Sequence, residues 1–561
     1  MRTIGRVFFV AILVALLPGW AAAQAQQSNL DQLADRISAR EQLEVRAIRK
    51  YTPIIETYIQ DMKADKEMGA VPTKDHYFLG NAQLGEGIVI HSLLQSAKSK
   101  GKGHKLTSSL GHLSGIFSTG YVPEGFLQMV FLDANGFDRQ HYHFEYVRRE
   151  FLGEVRCLVL DVMPLPKSGN GRFKGRIWVE DQDYTIVRFN GIYEPERRMF
   201  GLSAHFDSWR VNVSPGLWMP AYIYTEESDM KDYMFGHVRF KAQTRLWGYN
   251  SGRAGREDEF TQLKIDAPGA KDQSEALNDR TPVESERAWN RQAEQNVVDA
   301  LQRAGLIAPS GDVDKVLETV VNNLEVTNNL DIQPEVHCRV LLTSTLESFT
   351  VGHTIVMSRG LLDVLPDEAS LAAMLAHELA EVIIGHPLDS EWAFNDRTMF
   401  PVEQSLSFFS FHASPEDEAK ADQRAVQILK NSPYKDKLTT AGLFLKKLDE
   451  QSKALPALVS SHLGNRVLSS SELKSGSPEL QSTKIDQIAA LPLGSRIKLD
   501  PWNDHIEMVK AKPVSLLSER EKMPFEVTPF YPYLTRKPVP GSSTSQASDA
   551  AKSDVAKKDQ Q

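Results

Sequence analysis

Two cysteines in 561 residues are too few for a disulfide framework. Cys157 and Cys338 fall in separate regions of the chain, and the sequence leaves open whether they pair. Long apolar runs are also scarce. Beyond the first 25 residues no stretch of 18 or more apolar residues occurs, so no later segment reads as a transmembrane helix. Positive charge is in deficit, 64 Lys and Arg against 73 Asp and Glu, giving a net charge of −9 and speaking against a nucleic-acid partner. No internal repeat is visible. Composition is otherwise ordinary, with 41% hydrophobic and 24% charged residues, enough for large cores.

Residues 1–25 have the layout of a secretory signal. Arg2 and Arg6 form the basic start, Val7–Leu17 the apolar core, and Ala21-Ala22-Ala23 or Ala23-Gln24-Ala25 the small-residue cleavage site. The apolar core is shorter than the roughly 20 residues a spanning helix needs. No cysteine lies near the cleavage site for lipid attachment. The expectation is an exported, periplasmic protein of net charge about −11 once Arg2 and Arg6 are removed, with association at the membrane left open.

The expected fold is multidomain α+β. Residues 28–250 form a helix plus a curved antiparallel β domain, and 251–286 a polar linker. A mainly helical domain with a small β-sheet follows over 287–470, then a C-terminal appendage (471–540) and a disordered tail (541–561). Within the first domain, Asn29–Met62 shows apolar residues at mixed three and four spacing, which predicts helix, with Pro53 opening a second one. Lys98–Lys105 reads as a solvated basic turn. Strand-like segments then recur about every ten residues from Phe126 to Trp247, with turn signals at Asn135-Gly136, Leu152-Gly153 and Glu180–Asp183. His141 and His143 share one strand face and read as a surface pair. The helix followed by a curved sheet, with the turn in GRIWVEDQDYTIVRFNG, resembles the outer-membrane lipoprotein-sorting fold over roughly Leu43–Asn250. That resemblance implies lipid or a lipoprotein as a partner of the β domain.

Chemistry concentrates in Leu371–His386, LAAMLAHELAEVIIGH. Three ionisable side chains sit in an apolar run free of Gly and Pro until Gly385, and such groups are costly to bury unless something binds them. His377 and Glu381 are four apart and share a helix face, with Glu378 beside them. This is the arrangement of H-E-x-x-H, in which two histidines hold zinc and the Glu is the base, except that the second histidine is missing and Glu381 stands in its place. His386, nine positions after His377, lies near the opposite side of the helix and is not counted as a ligand.

With the strand and turn segment SFTVGHTIVMSRGLL before this helix and SPEDEAKADQRAVQIL after it, the region around 287–470 resembles peptidase family M forty-eight. This is the gluzincin family of CAAX prenyl proteases, membrane heat-shock metallopeptidases and soluble periplasmic relatives. The resemblance implies a zincin-like zinc metalloendopeptidase acting on a protein or peptide substrate. One Zn2+ would be held by His377, Glu381 and Glu418, with Asp422 steadying the histidine and Glu378 as general base. SSHLGNRV resembles a family segment near the reaction centre and implies His462 and Arg466 as transition-state stabilisers. The strand near Phe349–Met357 would hold the substrate extended. Carboxylates can bind zinc, but two of them cancel its charge, weaken its effect on a bound water, and admit other divalent ions. The sequence therefore leaves an alternative: a catalytically inactive, peptidase-like protein that binds lipid or envelope clients. It says nothing of oligomeric state.

Overall fold

The computed structural model describes residues 28–65, 69–94, 121–133, 136–194, 204–227, 239–249, 282–385, 393, 411, 414–466, 494–509 and 525–538, apart from 86, 122, 460–461 and 495. The signal segment, the Lys98–Lys105 turn, most of the linker and the C-terminal tail lie outside these residues. Among the described residues no helix is long and apolar enough to cross a membrane.

A helix over 28–48 (α1) opens the described chain. Its buried stripe, Ala34, Ile37, Glu41, Glu44 and Ile48, alternates three and four residues, so one face is presented to the sheet. Two glutamates in that stripe need partners. Glu41 makes a bidentate pair with Arg210 at 2.6 and 2.7 Å, both side chains being buried. Glu44 accepts the Trp218 amide at 2.7 Å, and burial raises its pKa against the pull of Arg210.

The sheet below α1 has ten strands: β1 (Ile54–Asp65), β2 (Gly69–Gln83), β3 (Val89–Ser92), β4 (Tyr142–Leu152), β5 (Val155–Pro164), β6 (Arg172–Glu180), β7 (Ile186–Glu194), β8 (Ala204–Ser214), β9 (Leu217–Glu227) and β10 (Arg239–Trp247). Its order is β3-β2-β1-β10-β9-β8-β7-β6-β5-β4, and the pairs are antiparallel. Gly153, at φ +67°, turns β4 into β5. A short helix, α2 (Pro123–Gln128), lies near β1 and β3. Phe173, Ile177, Phe189, Phe206 and Ile223 join Ile37 and Ile48 of α1 and Leu127 of α2 in one core.

The sheet corrects two sequence expectations. Pro53 does not open a second helix; it immediately precedes β1, and β1 and β2 were not anticipated as strands. Ile54, Ile55, Tyr58, Ile59 and Met62 are all buried, because β1 is flanked by β2 and β10 and covered on both faces. Strands covered on both faces lose the alternation by which strands are read.

The second region begins at Pro282, so the last residues assigned to the linker are helical. Helices α3 (Pro282–Arg303) and α4 (Asp312–Thr327) precede a small sheet of β11 (His337–Leu341), β12 (Glu347–Val351), β13 (Thr354–Ser358) and β14 (Asn465–Arg466), ordered β11-β13-β12-β14. Three strands thus stand before the motif helix. Helices α5 (Arg359–Val364), α6 (Glu368–Ile384), α7 (Pro415–Lys430), α8 (Leu438–Gln451) and α9 (Pro456–Val459) complete the region, and a hairpin of β15 (Ile497–Leu499) and β16 (Ile506–Met508) follows. Cys157 and Cys338 are both free and buried.

The two regions pack together through polar contacts. Glu56 of β1 accepts from Tyr77 at 2.8 Å, Ser344 Oγ at 2.6 Å and Arg359 at 3.1 Å. Asp75 of β2 accepts the Ala457 and Leu458 amides at 2.9 and 2.8 Å. The aromatic, Pro-rich segment 525–538 is a strap across the large sheet. Gln60 exchanges hydrogen bonds with the Phe525 carbonyl and Val527 amide at 2.6 and 2.8 Å, and Leu534 accepts the Glu154 amide at 2.9 Å.

Candidate metal centre

The motif helix α6 is built to be buried. Asp367 caps its start by accepting the Ser370 amide at 2.8 Å, and Gly385, at φ +76°, ends it in the left-handed conformation. Nearly every residue from Ala369 to Val382 is buried, and His377, with 12% of its side chain exposed, is the one opening. Ser414 caps α7, which packs against α6 and brings Glu418 and Asp422, one helical turn apart, onto the His377 face.

His377 Nδ1 lies 2.8 Å from Asp422, so Nε2 is left facing inward. Around Nε2 stand Glu418 Oε2 at 3.4 Å and Glu381 Oε1 at 3.7 Å. One atom from each of the three residues lies within 4.8 Å of the others. Ligands about 2.0–2.2 Å from a tetrahedral zinc sit some 3.3–3.6 Å apart, so the separations at Nε2 match a shared ion. Glu418 Oε1 is buried with no hydrogen-bond partner, which a cation would supply. Four carboxylates against one imidazole also leave an excess of buried negative charge. The residues present therefore fit a divalent cation.

Without a cation, protons carry that role. Burial works against an imidazolium at His377, but hydrogen bonds to Asp422 and Glu418 and the charges of Glu378 and Glu381 hold its pKa well above the usual histidine range. Glu381 is pushed up to about 9, by burial first and then by the neighbouring Glu378 charge. Burial likewise raises Glu378.

Glu378 lies beside the ligands, with Oε1 accepting from Ser348 Oγ at 2.6 Å. Glu381 Oε2 accepts from Thr350 Oγ1 at 3.2 Å. These two β12 hydroxyls were not singled out in the sequence. Residues 348 and 350 alternate along a strand, so both face α6. A hydroxyl two positions from another in a strand run is the only sequence signal for them, and it is a common one.

His462 and Arg466 are placed differently from the ligands. The His462 ring stacks on Tyr77 with centroids 4.8 Å apart and its Nε2 lies 3.1 Å from the Ala457 carbonyl; neither contact belongs to the ligand cluster. Its amide, with those of Leu463 and Gly464, donates to buried Glu347, which anchors this segment on β12. Arg466 lies opposite Glu347 in the β14 pairing. The proposed substrate strand Phe349–Met357 is a hairpin of β12 and β13. β13 is interior, paired on both sides, and β14 covers β12 at Glu347 and Ser348. Among the described residues, β14 leaves the Phe349–Val351 end of β12 unpaired on that edge.

No family model matches the chain, and no curated protein matches it. Among solved structures, an outer membrane lipoprotein-sorting protein domain from Vibrio parahaemolyticus is 11% identical, covering 37% of this chain and 88% of that one, with a TM-score of 0.20. A DUF1329 family protein from Desulfovibrio piger is 9% identical, covering 37% and 90%, with a TM-score of 0.20. The first has the description that the sheet texture of the N-terminal region suggested. At such TM-scores neither likeness carries an argument about what this chain binds. The peptidase resemblance gains no support from these comparisons and rests on the residues alone.

Proposed function

We propose that this protein is an exported, metal-dependent endopeptidase acting on envelope proteins or peptides, with one Zn2+ or similar divalent ion held by His377, Glu381 and Glu418. The observation that carries the reading is the buried convergence of these three side chains, with Asp422 fixing the His377 tautomer and one Glu418 oxygen left bare. A divalent ion there would polarise a peptide carbonyl and acidify water, less strongly than at a two-histidine site because two carboxylates offset its charge. Glu378 is adjacent to the ligands, and its carboxylate accepts the proton from water and returns it to the leaving amine. The Phe349–Val351 end of β12 orients the peptide backbone.

A second reading has one observation in its favour. With Glu381 protonated to about pH 9, part of the cluster's buried negative charge is removed without a cation. The chain could then be an inactive relative that holds lipid or envelope clients at the β domain.

Metal content separates the two readings. The purified protein is expected to carry about one zinc per chain, and chelation is expected to abolish cleavage of an unstructured peptide, with zinc restoring it. Zinc must displace the protons held by His377 and Glu381, so its apparent affinity should rise with pH from neutral up to about 9. A chain that takes up no metal across that range is not a metallopeptidase.

A further inference from the structure

Two of the three ligand candidates, His377 and Glu381, share one pattern: one polar atom points inward while the other is tied by a partner from outside α6. His377 gives Nδ1 to Asp422 and turns Nε2 inward. Glu381 gives Oε2 to Thr350 and turns Oε1 towards His377 Nε2. Asp422 is the outside partner of the histidine, and the sequence motif already marks it. Glu381, the residue that departs from the usual ligand set, shares a hydrogen bond with Glu378 inside the motif, and its partner across the α6–β12 interface is one the motif does not mark.

We propose that Thr350 is the positioning residue of Glu381, an inference that rests on the metal-centre reading above. A histidine at 381 would be a flat ring with one inward nitrogen. A carboxylate has an extra rotatable bond and two equivalent oxygens, either of which could turn away or both of which could take one proton. The Thr350 hydroxyl, 3.2 Å from Oε2, selects which oxygen faces the ion and holds the plane of the group. The hydroxyl is itself well held. β12 pairs with β13 through Thr350↔Ile355, and its neighbour Phe349 is buried and stacked on Phe411 at 4.6 Å with the rings 13° apart. Thr350 is therefore fixed by a strand and not by a loop, which gives Glu381 a rigid reference across the α6–β12 interface.

The test uses the full-length protein stripped of metal and Zn2+ alone as probe, with affinity read by competition against a chromophoric chelator. Thr350→Val keeps the shape and removes the hydroxyl, and is expected to weaken zinc binding by about 10- to 100-fold. Thr350→Ala should do the same, and Thr350→Ser, which keeps the hydroxyl, should restore binding. Thermal melting of the metal-free variants checks that the fold is kept. Wild-type affinity in both Thr350→Val and Thr350→Ala overturns the positioning role while leaving the metal centre standing. Equal weakening in Thr350→Ser and Thr350→Val overturns it as well. If the unaltered protein binds no zinc, the metal-centre reading fails first and takes this inference with it.

Discussion

Glu378→Gln is expected to lower peptide cleavage by about 100- to 10,000-fold while one metal ion per chain stays bound. The amide has the size of the carboxylate and can still accept the Ser348 hydrogen bond through its carbonyl oxygen, so local packing is preserved. It cannot take up a proton, which is the role assigned to Glu378. The residue is not among the three whose ligand atoms converge, so metal stoichiometry should not change. The measurement is the turnover of an unstructured peptide beside metal analysis of the same sample. Undiminished cleavage with metal present would remove Glu378 as the base, and loss of metal would make it a ligand.

The second large effect lies in the β domain. Arg210 and Glu41 are fully desolvated between α1 and β8, and each is the other's charge partner. Burial disfavours the guanidinium, and the Glu41 carboxylate reverses this, keeping Arg210 charged. Glu41→Ala leaves that cation with the Ile186 and Val130 carbonyls and the charge of Glu44, without its bidentate carboxylate. The expected cost is about 3–5 kcal/mol of stability. Tryptophan fluorescence during urea unfolding should report it, because buried Trp209 precedes Arg210 in β8 and buried Trp218 of β9 gives its amide to Glu44, three residues after Glu41 in α1. Replacing both partners by apolar residues of similar volume should recover most of the loss. A single substitution that leaves the urea midpoint unchanged would show that water reaches this site.

The motif helix was legible because a 3.6-residue period places His377 and Glu381 on one face whatever the rest of the chain does. Glu418 and Asp422 were singled out by the family resemblance of SPEDEAKADQRAVQIL, and the period adds only that they share a helix face. Ser348 and Thr350 were not, since the partner of a strand hydroxyl depends on which helix packs over the sheet. His462 carries a related lesson: its neighbours are set by β2, nearly four hundred residues earlier in the chain, through Tyr77. β1 misled for a physical reason. Its buried residues Ile54, Tyr58 and Met62 repeat every four positions, as a helix would have it, while Ile55 and Ile59 fill the other face. β4, which starts with buried and exposed residues in alternation, kept a clearer signal.

The strap over 525–538 has a consequence for the order in which the protein can be made. Gln60, in the first strand, completes its hydrogen bonds only with Phe525 and Val527, and β1 itself waits for β10. A growing chain therefore carries an unfinished sheet until residues 525–538 emerge. Contacts this distant in sequence fold slowly. Until the strap arrives, the Trp209 and Tyr222 rings that Tyr531 and Phe530 later cover remain open to water and to other chains. Assembly of this protein is a matter of that segment arriving before a competitor does.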